Sequence, residues 1–302
     1  MNYQYLLKNK ELFPYVIGIS FKQFESLLPK FSYALRVKEH KKAYEKERVR
    51  AVGGGRKPKL ATDRQKLFFI LFYYKVYPTF RFAQVIFELE KCNCQVWKEF
   101  LEPVLFEAIG SQLQLPKVRI KHFNHWFEVC PALRQFIVDG TERPIRRPKD
   151  KDKQNRYYSG KKKHHTVKNQ IMVSPKSGRI LSVSRTVEGK LHDKKLLEQD
   201  WNIYRAPPQA LGIGDSGYQG ASKINPLIKF ITPFKNLRNK KLTEKDKETN
   251  KVISSIRVKV EHPLAYLKHF AILAHQFRNR IDKSHQPFVN LACLYNFTRT
   301  HY

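Results

Sequence analysis

The chain has 302 residues, enough for one or two domains with a substantial hydrophobic core. Its 58 lysines and arginines outnumber its 26 aspartates and glutamates, so the formal net charge is +32. A hydrophobic content of 41% excludes a disordered chain, and the charge favours a polyanionic partner, nucleic acid before an anionic membrane surface.

Residues 1–125 are predicted to form an all-helical, DNA-binding region. Apolar residues recur at helical spacing after Ser20, which predicts a helix over residues 20–35. Residues 36–60 are highly charged and include three consecutive glycines, so we expect a helix or arm that leads into a flexible linker.

Three short helices are predicted over residues 61–108. Thr62 and Gln65 have the spacing of a capping box, and Thr79 begins the second helix. This arrangement is compatible with a helix-turn-helix whose third helix enters the major groove and presents Lys98 to DNA. Spacing alone favours a plain helical bundle, because the third helix carries few basic side chains.

The composition also indicates a compartment. The longest apolar run, over residues 67–74, has eight residues and is too short to cross a membrane. The four cysteines lack the spacing of a zinc site or a disulfide framework. We therefore expect a protein of the cytoplasm, associated with the nucleoid and without a membrane partner.

Residues 126–302 are predicted to form an α/β domain, with a mixed sheet flanked by helices. Segments rich in β-branched residues alternate with turn signals, and two helical segments follow at residues 192–200 and 244–276. The predicted strands are residues 135–139, 166–174, 179–187, 210–215 and 228–234.

Two of the predicted strands end on an aspartate, Asp139 and Asp215. In α/β sheets, ligands gather beyond strand ends, and two carboxylates brought together repel each other unless a cation lies between them. Oxygen ligands indicate Mg²⁺ or Mn²⁺, and a pair of such ions suits phosphoryl transfer. Each aspartate taken alone is more simply a turn residue.

A third acid, Glu261, lies in the long helical segment. Arg257 precedes it by four residues and Lys268 follows it by seven, so all three share one helix face. That face suits a metal ion on one side and a DNA phosphate on the other. The alternative is an ordinary surface salt bridge between Glu261 and Arg257.

A basic segment, residues 143–165, separates the first two predicted strands and includes Tyr157 and Tyr158. We expect it to lie along DNA, contributing charge and stacking; a solvated hairpin is the alternative. The basic residues expected on DNA are Arg146, Arg147, Lys161, Lys162 and Lys163.

Four ordered motifs resemble those of DDE-type transposases of bacterial insertion sequences, in the group that also resembles Harbinger-like elements. The segment VDGTERPI is similar to the first-Asp motif, EGKLHDKKLL to the Gly-x-x-His-Asp stretch, and GDSGYQG to the second-Asp motif. The segment RVKVEHPLAYLKHFAIL is similar to the Arg-x3-Glu-x6-Lys signature, and residues 59–105 resemble the group's helix-turn-helix.

The resemblance implies an RNase H-like catalytic domain in which Asp139, Asp215 and Glu261 bind two Mg²⁺ or Mn²⁺ ions. It implies cleavage of double-stranded DNA at terminal inverted repeats and strand transfer into target DNA. A homodimer is expected, because two ends must be joined. His192 and Asp193 match the Gly-x-x-His-Asp stretch, and we expect Asp193 to be a helix N-terminal residue, with metal support as the alternative.

Two other functions remain open from the sequence. A DNA-binding regulator or domesticated transposase would share the charge and the helical region but would not cleave DNA. A metal-dependent nuclease would share the three acids but would not join strands.

Overall fold

The structure is a computed structural model that describes residues 3–44, 58–113, 134–204, 206–236 and 241–300. The predicted glycine linker and the predicted domain limit at residues 125–126 lie outside these ranges. Two compact units interleave along the chain. The helical unit comprises Met1–Gln112, Lys268–Ala274 and Gln286–Tyr302, and the α/β unit comprises Leu113–Leu267 and His275–His285.

The described residues form helices and strands that are numbered here along the chain. The α-helices are α1 (Tyr3–Lys8), α2 (Phe13–Ile17), α3 (Phe21–Tyr44), α4 (Asp63–Val76), α5 (Phe80–Phe87), α6 (Lys91–Ile109), α7 (Lys151–Tyr157), α8 (Asp193–Gln199), α9 (Trp201–Tyr204), α10 (Glu244–Lys268), α11 (Ala271–Ala274) and α12 (His285–Thr300). The strands are β1 (Gln135–Pro144), β2 (Tyr158–Ser159), β3 (His164–Val173), β4 (Ile180–Val183), β5 (Val187–Glu188), β6 (Leu211–Ile213) and β7 (Lys229–Ile231).

Local capping sets the starts of three helices in the helical unit. Thr62 and Gln65 form the predicted capping box of α4, and Thr79 accepts a hydrogen bond from the Phe82 amide at the start of α5. Ser20 and Gln23 bond reciprocally before α3, at 3.0 and 3.2 Å. Because these signals are local, the sequence predicts them correctly, although α3 continues beyond the predicted residue 35.

Helix α4 is the central helix of the helical unit. Residues 66–74 are buried without a break, as expected for a helix that is hydrophobic on all sides. Phe87 of α5 packs against the rings of Phe68, Phe69 and Phe72, with centroid distances of 4.9–6.4 Å. Among the described residues, no helix is long and apolar enough to cross a membrane.

A buried polar network corrects the prediction for Lys98. Its side chain is 2% exposed and its Nζ lies 2.8 Å from Glu102 Oε2. Tyr74 donates to Glu102 Oε1, and Asn290 donates to both Tyr74 Oη and the Glu102 carbonyl. The prediction that Lys98 presents charge to DNA is wrong, because tertiary packing turns it into the core.

The α/β unit is built on a mixed sheet with the order β2-β3-β1-β6-β7, and β4 and β5 also pair with β3. Strand β1 is antiparallel to β3 and parallel to β6, which is parallel to β7. The predicted mixed α/β sheet is therefore present. One hydrophobic cluster of this unit contains Phe136, Val138, Met172, Leu181, Leu197, Ile203, Ala206, Ala210, Tyr218, Ala221 and Ile228.

Two predicted strand limits are wrong. Strand β1 does not end at Asp139 but continues to Pro144, because β3 pairs with it along that whole length. The predicted strand 179–187 is interrupted between β4 and β5. The basic segment 143–165 is not only a loop, since it contains α7 and the short strand β2.

Candidate active site

Parallel pairing places Asp139 and Asp215 at the same level of the sheet. Ile137 on β1 is the register partner of Ile213 on β6, and each aspartate follows its paired isoleucine by two residues. Asp139 lies within β1, whereas Asp215 comes just after β6. Two distant segments of the chain thus bring their carboxylates to one site.

A neighbouring glycine orients each of these carboxylates. The Gly140 amide donates to Asp139 Oδ1 at 2.8 Å, and the Gly217 amide donates to Asp215 Oδ1 at 2.8 Å. Asp215 also caps the short 3-10 helix Ser216–Tyr218. Both side chains are half-buried, so the remaining oxygen positions can serve a ligand.

The surroundings of Asp139 disfavour the charged form of its carboxyl. The pKa of the Asp139 carboxyl is raised from 3.8 to about 6: burial is the largest cause, the Arg257 guanidinium and the Gly140 amide oppose it, and Asp215 and Asp193 add to the rise. The carboxylates are therefore close enough to repel each other, and a cation between them would favour their charged forms.

Asp193 belongs to the same group of side chains. It is the first residue of α8, as the sequence predicts, with His192 as the N-cap residue. Its Oδ1 lies 2.9 Å from Lys168 Nζ, which also donates to the Leu191 carbonyl at 2.7 Å and lies 3.7 Å from Glu142 Oε1. A nearly buried lysine thus balances part of the negative charge of the site.

The three predicted residues of α10 lie at different places. Arg257 is half-buried and close enough to Asp139 to lower its pKa, and its buried Nε has no hydrogen-bond partner among the described residues. Glu261 is exposed one turn further along the helix. Lys268, the last residue of α10, is exposed and belongs to the helical unit. Arg257 is thus the residue of this signature that faces the aspartates.

The donor chemistry of this site suits a divalent cation. Among the described residues, no three acidic, histidine or cysteine side chains converge closely enough to hold an ion. Asp139 and Asp215 nevertheless supply oxygen ligands of the kind that Mg²⁺ and Mn²⁺ prefer, and a cation would favour the charged form of Asp139, which burial and the neighbouring aspartates disfavour. The residues present therefore fit such an ion.

The basic residues predicted to contact DNA are exposed, apart from the buried Lys98 and the half-buried Arg257. Arg146 and Arg147 follow β1, and the Arg147 guanidinium donates twice to Gln154 Oε1 at the start of α7. Lys161, Lys162 and Lys163 lie in the turn between β2 and β3. Together they form a positive surface beside the β2 edge of the sheet.

Sequence reasoning missed the polar interior of β3. Lys168, Asn169 and Gln170 are all buried, and Gln170 Oε1 accepts a hydrogen bond from Tyr218 Oη at 3.0 Å. Burial and the three neighbouring aspartates hold the pKa of Tyr218 well above its usual value. Three consecutive polar residues inside a predicted buried strand were the available signal.

Replacing Asp139 by asparagine should stabilise the metal-free protein at neutral pH. The pKa of Asp139 is higher in the folded protein than in the unfolded chain. This carboxyl therefore contributes stability below about pH 4, and that contribution is lost as the pH rises through about 6. Asparagine stays neutral at every pH. The free energy of unfolding of the variant should therefore exceed that of wild type by about 1–3 kcal/mol at pH 8 and equal it near pH 4. Urea unfolding in EDTA, at several pH values, measures the difference.

The exposed Asp152→Asn variant is the matched control and should show no such trend. A difference between Asp139→Asn and wild type that stays constant from pH 4 to pH 8 would contradict the assignment of the strain to this carboxyl.

Comparisons with known proteins identify the family. A family model described as DDE superfamily endonuclease matches residues 138–296, more than half of the chain. The chain is 32% identical, over 80% of its length and 83% of the relative's, to a probable transposase for insertion sequence element IS702 from Microchaete diplosiphon. It is 26% identical, over 55% of its length and 59% of the relative's, to a putative transposase for insertion sequence element IS112 from Streptomyces albus G. No solved structure matches the chain. The chain therefore belongs to the DDE superfamily endonucleases, among the transposases of insertion sequences.

Proposed function

We propose that this protein is a transposase that cuts double-stranded DNA at the terminal inverted repeats of its element and transfers the freed strand into target DNA. The single observation that carries the proposal is the shared level of Asp139, on β1, and Asp215, just after the neighbouring parallel strand β6. Membership of the DDE superfamily endonucleases supports it, because these two residues lie within the matched range.

The proposed architecture has an RNase H-like catalytic domain over residues 126–302 and a helical DNA-binding region over residues 1–125; within the first range, Lys268–Ala274 and Gln286–Tyr302 belong to the helical unit. The strand order and the mixed pairing support the first part. The short turns between α4, α5 and α6 support a helix-turn-helix. Since Lys98 is buried, groove contacts in this proposal come from exposed residues at the start of α6, such as Lys91, Asn93 and Gln95.

Asp139, Asp215 and Glu261 are the proposed catalytic triad and would hold two Mg²⁺ or Mn²⁺ ions. Such ions supply charge neutralisation at the phosphate and an activated attacking oxygen. The Gly140 and Gly217 amides orient the two aspartates by their hydrogen bonds. Glu261 is exposed in the structure, so its participation requires that α10 present it to the aspartates when substrate is bound.

Basic residues of the proposed site would hold the DNA backbone. The Arg257 guanidinium lies near Asp139 and has a free buried Nε, which supports a contact with the scissile phosphate. Lys268 would hold a second phosphate further along the strand. A homodimer is proposed because both ends of an element must be cut and joined together.

The function is tested with a labelled duplex that bears the element's own terminal repeat. The wild-type protein is incubated with this duplex and a target duplex, in Mg²⁺, Mn²⁺ or EDTA. Metal-dependent cutting at the repeat end, followed by joined products, is the expected result. Cutting without joining would identify a nuclease instead, and specific binding without cutting in either metal would favour a DNA-binding regulator.

Neutralising Lys161, Lys162 and Lys163 should lower the salt dependence of DNA binding. Each phosphate neutralised contributes about 0.9 to the slope of log affinity against log salt, so the triple glutamine variant should lose about 2–3 units of slope. Binding isotherms at several salt concentrations measure it.

The matched control replaces the exposed Lys223, Lys229 and Lys235, which lie near β7 at the opposite edge of the sheet. This control removes the same charge and should leave the slope nearly unchanged. Equal slopes for the two triple variants would reject the assignment of DNA to the β2 edge.

A further inference from the structure

We propose that Asp193 is a positioning residue that fixes the separation of the Asp139 and Asp215 carboxylates. The proposal rests on the proposed function, because it assumes that these two aspartates bind the metal ions. It assigns Asp193 a role through the backbone rather than as a metal ligand.

The two oxygens of Asp193 face the two glycines that orient the catalytic carboxylates. A methyl group at Gly140 would lie 3.0 Å from Asp193 Oδ1, and one at Gly217 would lie 3.3 Å from Asp193 Oδ2. The amides of these same glycines bond Asp139 and Asp215. One carboxylate therefore lies between the two backbone segments that hold the pair of catalytic acids.

Asp193 is itself held by an ion pair with Lys168. Its Oδ1 lies 2.9 Å from Lys168 Nζ, and that ammonium is anchored on the Leu191 carbonyl. Glu142 provides a second carboxylate at 3.7 Å from the same Nζ, and the Lys168 side chain is only 8% exposed. Because the ammonium has several fixed partners, the Asp193 side chain cannot move freely when its neighbours change.

Gly217 lies on the segment that follows β6. The segment after β6 carries Asp215 beyond the end of the paired strand, whereas Asp139 lies inside β1. The Asp193 carboxylate lies beside both glycines and so links the segment after β6 to strand β1. In this proposal, the Asp193 carboxylate sets the distance between the two catalytic carboxylates, and a pair of metal ions requires a fixed distance between its ligands.

The test is a double-mutant cycle between Gly140 and Asp193. Gly140→Ala places a methyl group against the Asp193 carboxylate, with the next nearest atoms at 3.7 Å. It should weaken Mn²⁺ binding, measured by calorimetry, about tenfold, and Asp193→Ala alone should weaken it similarly. In the Asp193→Ala background, adding Gly140→Ala should cost no more than about twofold, because the clash is gone.

Gly160→Ala is the control for the added methyl group, since no atom lies within 4 Å of it, and its Mn²⁺ affinity should equal that of wild type. A neutral Gly140→Ala, or a cost that persists undiminished without the Asp193 carboxylate, would overturn the proposal. Mn²⁺ binding that does not depend on Asp139 or Asp215 would instead overturn the proposed function.

A second measurement does not require metal. Amide hydrogen exchange of Gly140 and Gly217 in the metal-free protein should accelerate about tenfold in both positions in Asp193→Ala, with the global unfolding midpoint followed in parallel. Unchanged exchange at both glycines, in a variant that remains folded, would contradict the positioning role of Asp193.

Discussion

Replacing Asp215 by alanine is expected to lower metal-dependent cleavage of the terminal-repeat duplex by about 10³-fold or more. The physical reason is the loss of one of two carboxylates that meet at the same level of the sheet. In the proposed triad, Asp139 and Glu261 alone would not hold a pair of divalent ions. Gel analysis of the labelled strand, at equal protein and metal concentrations, measures the loss.

DNA binding by the Asp215→Ala variant should equal or exceed that of wild type, because the substitution removes a negative charge from a protein of net charge +32. Asp152→Ala removes the same charge at an exposed position of α7 and should cut normally. If Asp215→Ala binds the duplex and cuts it at the wild-type rate, Asp215 is not a catalytic residue.

Replacing Lys98 by methionine is expected to lower the free energy of unfolding by about 3–5 kcal/mol. The substitution leaves the buried Glu102 carboxylate without its ammonium, while Tyr74 still donates to that carboxylate and Asn290 still bonds the Glu102 backbone carbonyl. Burial already raises the pKa of Glu102, and the ammonium of Lys98 opposes that rise. Urea unfolding followed by fluorescence or circular dichroism measures the change.

Two variants separate the charge from the packing. The double variant with Lys98→Met and Glu102→Gln should recover much of the loss, because the amide oxygen can still accept from Tyr74 and no buried charge remains. Lys91→Met, at the exposed start of the same helix, should change stability by less than about 0.5 kcal/mol. A Lys98→Met protein as stable as wild type would contradict the buried ion pair.

The same substitution tests the correction to the helix-turn-helix prediction. Because the Lys98 side chain is 2% exposed, the folded fraction of Lys98→Met should bind DNA with the wild-type affinity and salt slope. If the fully folded variant shows a smaller salt dependence of DNA binding than wild type, Lys98 contacts DNA and the correction is wrong.

Short-range chemistry explains what could be predicted from the sequence. The starts of α3, α4 and α5 follow from Ser20, Thr62 and Thr79, because a capping side chain bonds an amide only two or three residues away. The mixed sheet follows from period-2 patterning and turn residues. Asp139 and Asp215 were found by their position near the ends of apolar strand segments.

Long-range pairing and packing decided the rest. Strand β1 passes through Asp139 because β3 lies opposite it, and the shared level of Asp139 and Asp215 depends on the register of β1 with β6. Lys98 and Lys168 are both lysines in apolar surroundings, yet one closes a core network and the other balances the acidic site.

The sequence by itself determined the family motifs, the order of the acids and the local limits of the helices, because each depends on residues close together in the chain. Only the tertiary structure decided which charges are buried and which carboxylates meet. The Asp193 carboxylate lies beside both Gly140 and Gly217, so three segments that are far apart in sequence meet there. Such contacts depend on the relative placement of strands and helices, which no local pattern encodes.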